Sequence, residues 1–140
     1  MGFVALVSQF DMETEIKTFE DLEAYKACRT FRIFISTTIT PLLLTSKEYN
    51  LADQLKRASR SITANIAEGY GRFHYLDNAR FCSIARGSLY ESLEHCITAN
   101  DENLISAEQL TSARKLFTEA IKPLNGFINY LYKSANNQKA

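Results

Sequence analysis

The chain has little material for turns: two prolines and five glycines in 140 residues, and no tryptophan. That scarcity argues against a many-stranded β-fold, which needs turn residues every 8–12 positions or so. Excess charge is missing too, since 16 basic side chains balance 16 acidic ones. No global field draws the molecule to nucleic acid or to an anionic membrane, so any polyanion site must be local. Cys28, Cys82 and Cys96 form an odd set without a C-x-x-C pair. This pattern suits reduced, buried thiols in a cytoplasmic protein rather than a disulfide framework. No long hydrophobic run occurs. The opening MGFVALVSQF has no basic flank and no small-residue cleavage pattern, is too short to span a bilayer, and lacks the Ser or Thr that a myristoylation signal needs. Residues 1–17, with a second methionine at Met12, are expected to form a flexible extension.

What is present is apolar spacing of three and four nearly throughout, which predicts an all-α fold. A first helix should open at Thr18, where Asp21 stands three positions on, and run through Leu22, Tyr25, Cys28, Phe31 and Ile35. Pro41 biases Thr40 away from helical backbone, which predicts an end there. Thr45 and Glu48 then have capping-box spacing before a second helix with its seam at Leu51, Leu55, Ala58, Ile62 and Ile66. Gly69 and Gly71 are expected to end it in left-handed backbone. A third helix from about Asp77 carries Cys82, Ala85, Leu89, Leu93 and Cys96, and closes at NDEN. Ser106 caps a fourth, with Leu110, Ala113, Phe117, Ala120, Leu124, Phe127 and Leu131 on one face; Pro123 inside it predicts a bend or a restart. Short polar connections make this an antiparallel up-down-up-down four-helix bundle over residues 18–134, followed by a flexible tail at 135–140.

No residues here suggest catalysis. His95 and Cys96 are adjacent and point about 100° apart on a helix, so they cannot form a dyad. Glu91 stands four before His95 rather than three, and no second copy exists, so a di-iron carboxylate site is not expected. Glycines in EGYGR, Glu68 to Arg72, lack the lysine of a phosphate loop and a preceding strand. The expectation is a non-enzyme with no metal, no cofactor, no small-molecule substrate and no membrane partner.

Charge is concentrated in the middle of the chain. Residues 51–90 hold Lys56, Arg57, Arg60, Arg72, Arg80 and Arg86 against Asp53, Glu68 and Asp77. Lys56 and Arg60 lie one turn apart, opposite the Leu55 and Ile62 face. These six are the candidate phosphate-binding residues, and the competing reading is a solvated face with local pairs such as Asp53 with Arg57. Small residues form a second pattern: Ala79, Ser83 and Gly87 on the third helix, and Ala52, Ser59, Thr63 and Ala67 on the second. Such a stripe lets another helix approach closely, either from a second copy, with Ala79, Ser83, Gly87, Ser59 and Thr63 at the oligomer interface, or from within the chain.

QLKRASRSITANIAEGYGR, followed by RFCSIARGSLYESLEH, resembles the signature of the 23S ribosomal RNA intervening-sequence protein family. The matching positions are Gln54, Arg57, Ala58, Ser61, Ile62, Asn65, Ile66, Ala67, Glu68, Gly69, Gly71 and Arg72, then Ala85, Gly87, Ser88 and Glu91. FEDLEAYKAC and GFINYLYK resemble the outer helices, while Pro41 and Pro123 depart from the pattern. The resemblance implies a four-helix bundle assembling into rings, typically pentamers. It also implies kinship with an accessory protein of diversity-generating retroelements that binds nucleic acid and a reverse transcriptase. Two functions are therefore expected in competition: RNA or DNA binding through phosphates, or a protein-interaction scaffold. The motif Ser61, Asn65, Glu68, Gly69, Gly71 and Glu91 is expected to be structural, with Asn65 and Glu68 tying the corner to Arg72 or a neighbouring helix, so that Glu68→Ala lowers stability or assembly.

Overall fold

The computed structural model describes residues 15–139. The expected N-terminal extension therefore lies mostly outside the described residues. These are helical apart from turns, with α1 (Glu23–Phe34), a π turn (Ile35–Ile39), α2 (Thr40–Thr45), α3 (Tyr49–Gly71), α4 (Tyr75–Asp101) and α5 (Ala107–Lys139). Taking α1 through α2 as one limb, four helical limbs pack as a bundle: α1 lies on α3 and α5, α3 on α4, and α4 on α5.

The entry to the first limb is a 3-10 turn, Phe19–Asp21, before the α-helix proper. The Asp21 carboxylate accepts the backbone N–H groups of Lys17 at 2.9 Å and Thr18 at 3.1 Å. Those bonds favour its charged form and hold its carboxyl below the ordinary 3.8.

The first limb does not stop at Pro41. Its buried side chains, Phe31, Ile35, Ile39 and Leu43, recur every four residues and are all 0 % exposed. A strict four-residue repeat drifts around a 3.6-residue helix, and the wider π turn takes up that drift. The Thr40 N–H donates to the Ile35 carbonyl, five residues back. Ser36 and Thr37 hydroxyls both donate to the Ile33 carbonyl, at 3.0 and 2.7 Å, competing for an acceptor of the regular ladder. Pro41 then falls in the first turn of α2, where a missing N–H is tolerated.

The corners also differ from expectation. Thr45 and Glu48 form no capping box: the Thr45 hydroxyl donates to the Pro41 carbonyl at 2.9 Å, and Glu48 makes no side-chain cap. The limb ends instead in a Schellman turn, with Lys47 at φ 61° and the Glu48 N–H on the Leu43 carbonyl at 2.9 Å. The same arrangement closes α4, with Asn103 at φ 61° and Leu104 N–H on the Ala99 carbonyl at 2.8 Å. Between α3 and α4 the left-handed residue is Phe73, φ 54°, and no glycine among the described residues has positive φ. Gly69 serves a different purpose. A Cβ there would stand 2.6 Å from Asn78 Oδ1 and 2.9 Å from Phe81 Cβ, so its bare backbone is what lets α3 and α4 meet.

The seams otherwise follow the periodicity. Leu55, Ile62 and Ile66 on α3, Cys82, Ala85, Leu89 and Cys96 on α4, and Ala113, Ala120, Leu124 and Leu131 on α5 are 0 % exposed. Leu51, Leu93 and Phe117 are only half-buried. Ser106 caps α5 in a full capping box, accepting the Gln109 N–H at 3.1 Å while Gln109 Oε1 accepts the Ser106 N–H at 2.8 Å. α5 runs through Pro123 without a restart and continues to Lys139, past the boundary expected at Ser134, with Ala135 buried. None of the described helices is long and apolar enough to cross a membrane.

Candidate nucleic-acid interface

The six basic side chains of the middle segment divide into three groups. Arg57 pairs with Asp53 at 2.8 Å, Arg72 with Glu68 at 3.0 Å and Arg80 with Asp77 at 3.5 Å, each bridging positions three or four residues apart. Arg72 also lies over the Phe81 ring, 4.9 Å from its centre. Arg86 is half-buried and reaches from α4 to α5, donating to Asn125 Oδ1 at 2.9 Å. Lys56 and Arg60 are exposed, and no carboxylate among the described residues pairs with either.

Lys56 and Arg60 share a groove of about 690 Å³ between the first limb and α3. Its floor is the small-residue edge of α3, Ser59, Thr63, Ala64 and Ala67. The opposite wall is Arg32, Ser36 and Thr40, brought into line by the π turn. Arg32 is a member that sequence reasoning missed. Its Nη1 donates to the Thr63 hydroxyl at 2.7 Å, which holds the guanidinium across the groove. The signal that could have found it is a polar stripe, Arg32, Ser36 and Thr40, on the flank of an apolar helix. Among the described residues three cations and no carboxylate line the groove, so their repulsion is left to solvent or to an anion to offset. At one end stand Phe19 and Tyr25, ring centres 4.9 Å apart and edge-on, beside Tyr70.

The small-residue stripes are partly occupied by the chain itself. Ser59, Thr63 and Ala79 are buried within it, Ser83 is half-buried, and Gly87 is exposed with nothing within 4 Å of a Cβ position.

The signature corner is a set of short-range ties. Asn65 Nδ2 donates to the Ser61 carbonyl at 2.8 Å and to its hydroxyl at 2.9 Å, and that hydroxyl meets Ser88 Oγ on α4 at 2.8 Å. Gly71, in contrast to Gly69, has open space around its Cβ position. The Glu68–Arg72 pair is more than half exposed on both sides. An exposed i,i+4 pair contributes about 0.3–0.5 kcal/mol. Glu68→Ala is therefore expected to lower thermal stability by no more than that, read as a shift of about 1–2 °C in melting temperature.

The chemistry-bearing groups elsewhere are quiet. Burial pushes the thiols of Cys28, Cys82 and Cys96 up to about 12, far from a reactive thiolate at neutral pH. His95 pairs with Glu91 at 3.1 Å along α4. Among the described residues no group of three or more His, Cys, Asp or Glu side chains could hold a metal ion.

A family model described as 23S rRNA-intervening sequence protein matches residues 20–126, a span that contains every groove-lining residue except Phe19, the signature corner and α5 as far as Gly126. No curated protein matches the chain.

Proposed function

The chain belongs to the 23S rRNA-intervening sequence protein family, and on that footing we propose that it is a non-enzymatic four-helix bundle that binds the phosphates of RNA or DNA. One observation carries this reading: Arg32, Lys56 and Arg60 converge on a groove that no carboxylate among the described residues lines, in a chain whose net charge is zero. Locally concentrated charge suffices for phosphate binding where the whole-molecule field is absent. Antiparallel, up-down-up-down order belongs to the same proposal. It is supported by Phe19 lying near Tyr70 while Arg32 meets Thr63, by Ser61 on Ser88, and by Tyr90 on Phe117 while Tyr75 meets Tyr130. Assembly into a ring, typically five copies, would repeat the groove around one particle and multiply a modest affinity. In that arrangement the exposed Gly87 edge of α4 is the surface offered to a neighbour.

The test is the salt dependence of binding. Single-stranded and duplex oligonucleotides should bind with log K falling linearly in log salt. Lys56→Glu with Arg60→Glu should lower the slope by about 0.7 on single strands, or about 0.9 on duplex, for each phosphate that the variant no longer neutralises. Binding that ignores salt, or a double variant that binds as well as the parent, overturns the reading.

A protein-interaction scaffold is the second reading. Carboxylate pairing of Arg57, Arg72 and Arg80 supports it, as do the exposed Ile84 and Tyr90 on α4. It predicts no nucleic-acid binding in either form of the protein.

A further inference from the structure

Thr40 is 7 % exposed, lines the groove, and its Oγ1 has no hydrogen-bond partner among the described residues. A buried hydroxyl in a native fold is ordinarily paired, so an orphan just inside the wall of a charged groove points to a polar atom that the other described residues do not supply, which the hydroxyl would meet by turning about χ1 toward the groove. The π turn is what puts it there: an uninterrupted α-helix would carry Thr40 round to a different face. Single-turn π insertions recur at functional sites for this reason.

The rest of the groove describes the missing partner. Arg32, Lys56 and Arg60 ask for an anion, and the guanidinium of Arg32 is already oriented by Thr63. Ser59, Thr63, Ala64 and Ala67 make a low floor over more than two turns of α3, about 12 Å along its axis. Phe19 and Tyr25 add aromatic surface beyond the charges, where a flat ring can stack. The volume, about 690 Å³, is that of a site for a small-molecule-sized group. A duplex is too wide to enter it, and its bases are already stacked on one another.

Resting on the polyanion reading above, we infer that the groove is a nucleotide pocket for an unpaired stretch of RNA or DNA. Phosphates of successive nucleotides lie along Arg32, Lys56 and Arg60, the Thr40 hydroxyl bonds a sugar or base atom of one nucleotide, and the base of another stacks at the Phe19 and Tyr25 end. The protein would then prefer single strands, loops or frayed ends over duplex.

The experiment is fluorescence anisotropy with a labelled 12-nucleotide single strand, the same sequence as a duplex, and free uridine monophosphate as competitor, at one fixed salt. Three proteins are compared: the parent, Tyr25→Leu and Thr40→Val. Thr40→Val keeps the side-chain shape and removes an unpaired hydroxyl, so its melting temperature should hold or rise, which separates a binding defect from a folding one. The expected result is single-strand binding at least about tenfold tighter than duplex, with affinity reduced about tenfold in Tyr25→Leu and a few-fold in Thr40→Val, and duplex binding unchanged in both. Equal affinity for the two forms, or variants that bind single strands like the parent, overturns the pocket while leaving phosphate binding standing. Uridine monophosphate binding as tightly as the strand overturns the strand assignment. If neither nucleic acid binds, the polyanion reading falls and the pocket with it.

Discussion

Phe31→Ala should lower stability by about 3–5 kcal/mol, the usual range for emptying a buried aromatic site. Phe31 is 0 % exposed in the last turns of α1, directly before the π turn, and belongs to the central core. Its neighbours along the limb, Ile35 and Ile39, are equally buried and held by their own packing, so little can move in to fill the space. Denaturant or thermal melting would read the change, at roughly 3 °C per kcal/mol for a chain of this size. Phe31→Leu, which keeps most of the volume, should cost less than about 1.5 kcal/mol. A Phe31→Ala protein within about 1 kcal/mol of the parent, on the order of ordinary surface changes, would mean that the first limb is not packed as described.

Gly69 and Gly71, two residues apart, should respond to substitution in opposite directions. Gly69→Val is expected to lower stability by about 3 kcal/mol, at the upper end of ordinary overpacking. The added carbons would press on Asn78 Oδ1, Phe81 Cβ and the Asn78 carbonyl, at 2.6, 2.9 and 3.1 Å from the first of them. None of these yields easily. Asn78 is 0 % exposed with its Oδ1 accepting the Cys82 thiol at 3.4 Å, and the other two atoms are backbone or next to it. Gly71→Ala meets nothing within 4 Å and has ordinary backbone, so lower unfolded-state freedom and better helix propensity should leave it neutral or up to about 1 kcal/mol more stable. A destabilised Gly71→Ala beside a tolerated Gly69→Val would reverse the assignment of the two glycines.

These glycines illustrate what is legible in the chain. EGYGR reads as a helix stop in left-handed glycine backbone, and α3 does end within it, at Gly71. The left-handed residue, however, is Phe73, two residues past the helix end, and Gly69 lies inside the helix, where it lets α4 come close. The capping signals divide in the same way. SAEQ forms a full box at Ser106, whereas Thr45 and Glu48, at the same spacing, are overtaken by the extension of the first limb. Pro41 on its own argues for an end to that limb, and the core spacing beyond it is the better guide: Leu43 is buried in register with Ile39, and a π turn accommodates both demands.

By itself, then, the sequence determined an all-helical chain, the apolar seams and the basic middle segment, since each depends on residue type and on spacing within a few turns. Tertiary structure alone decided how the six basic residues divide between nearby carboxylates, a bridge to α5 and a groove. It also decided that Arg32, remote in the chain from Lys56 and Arg60, joins them. That sorting depends on which surfaces two docked helices turn toward each other. Arg32 and Thr63 are 31 residues apart, and no local periodicity places one opposite the other until the cores of α1 and α3 have packed.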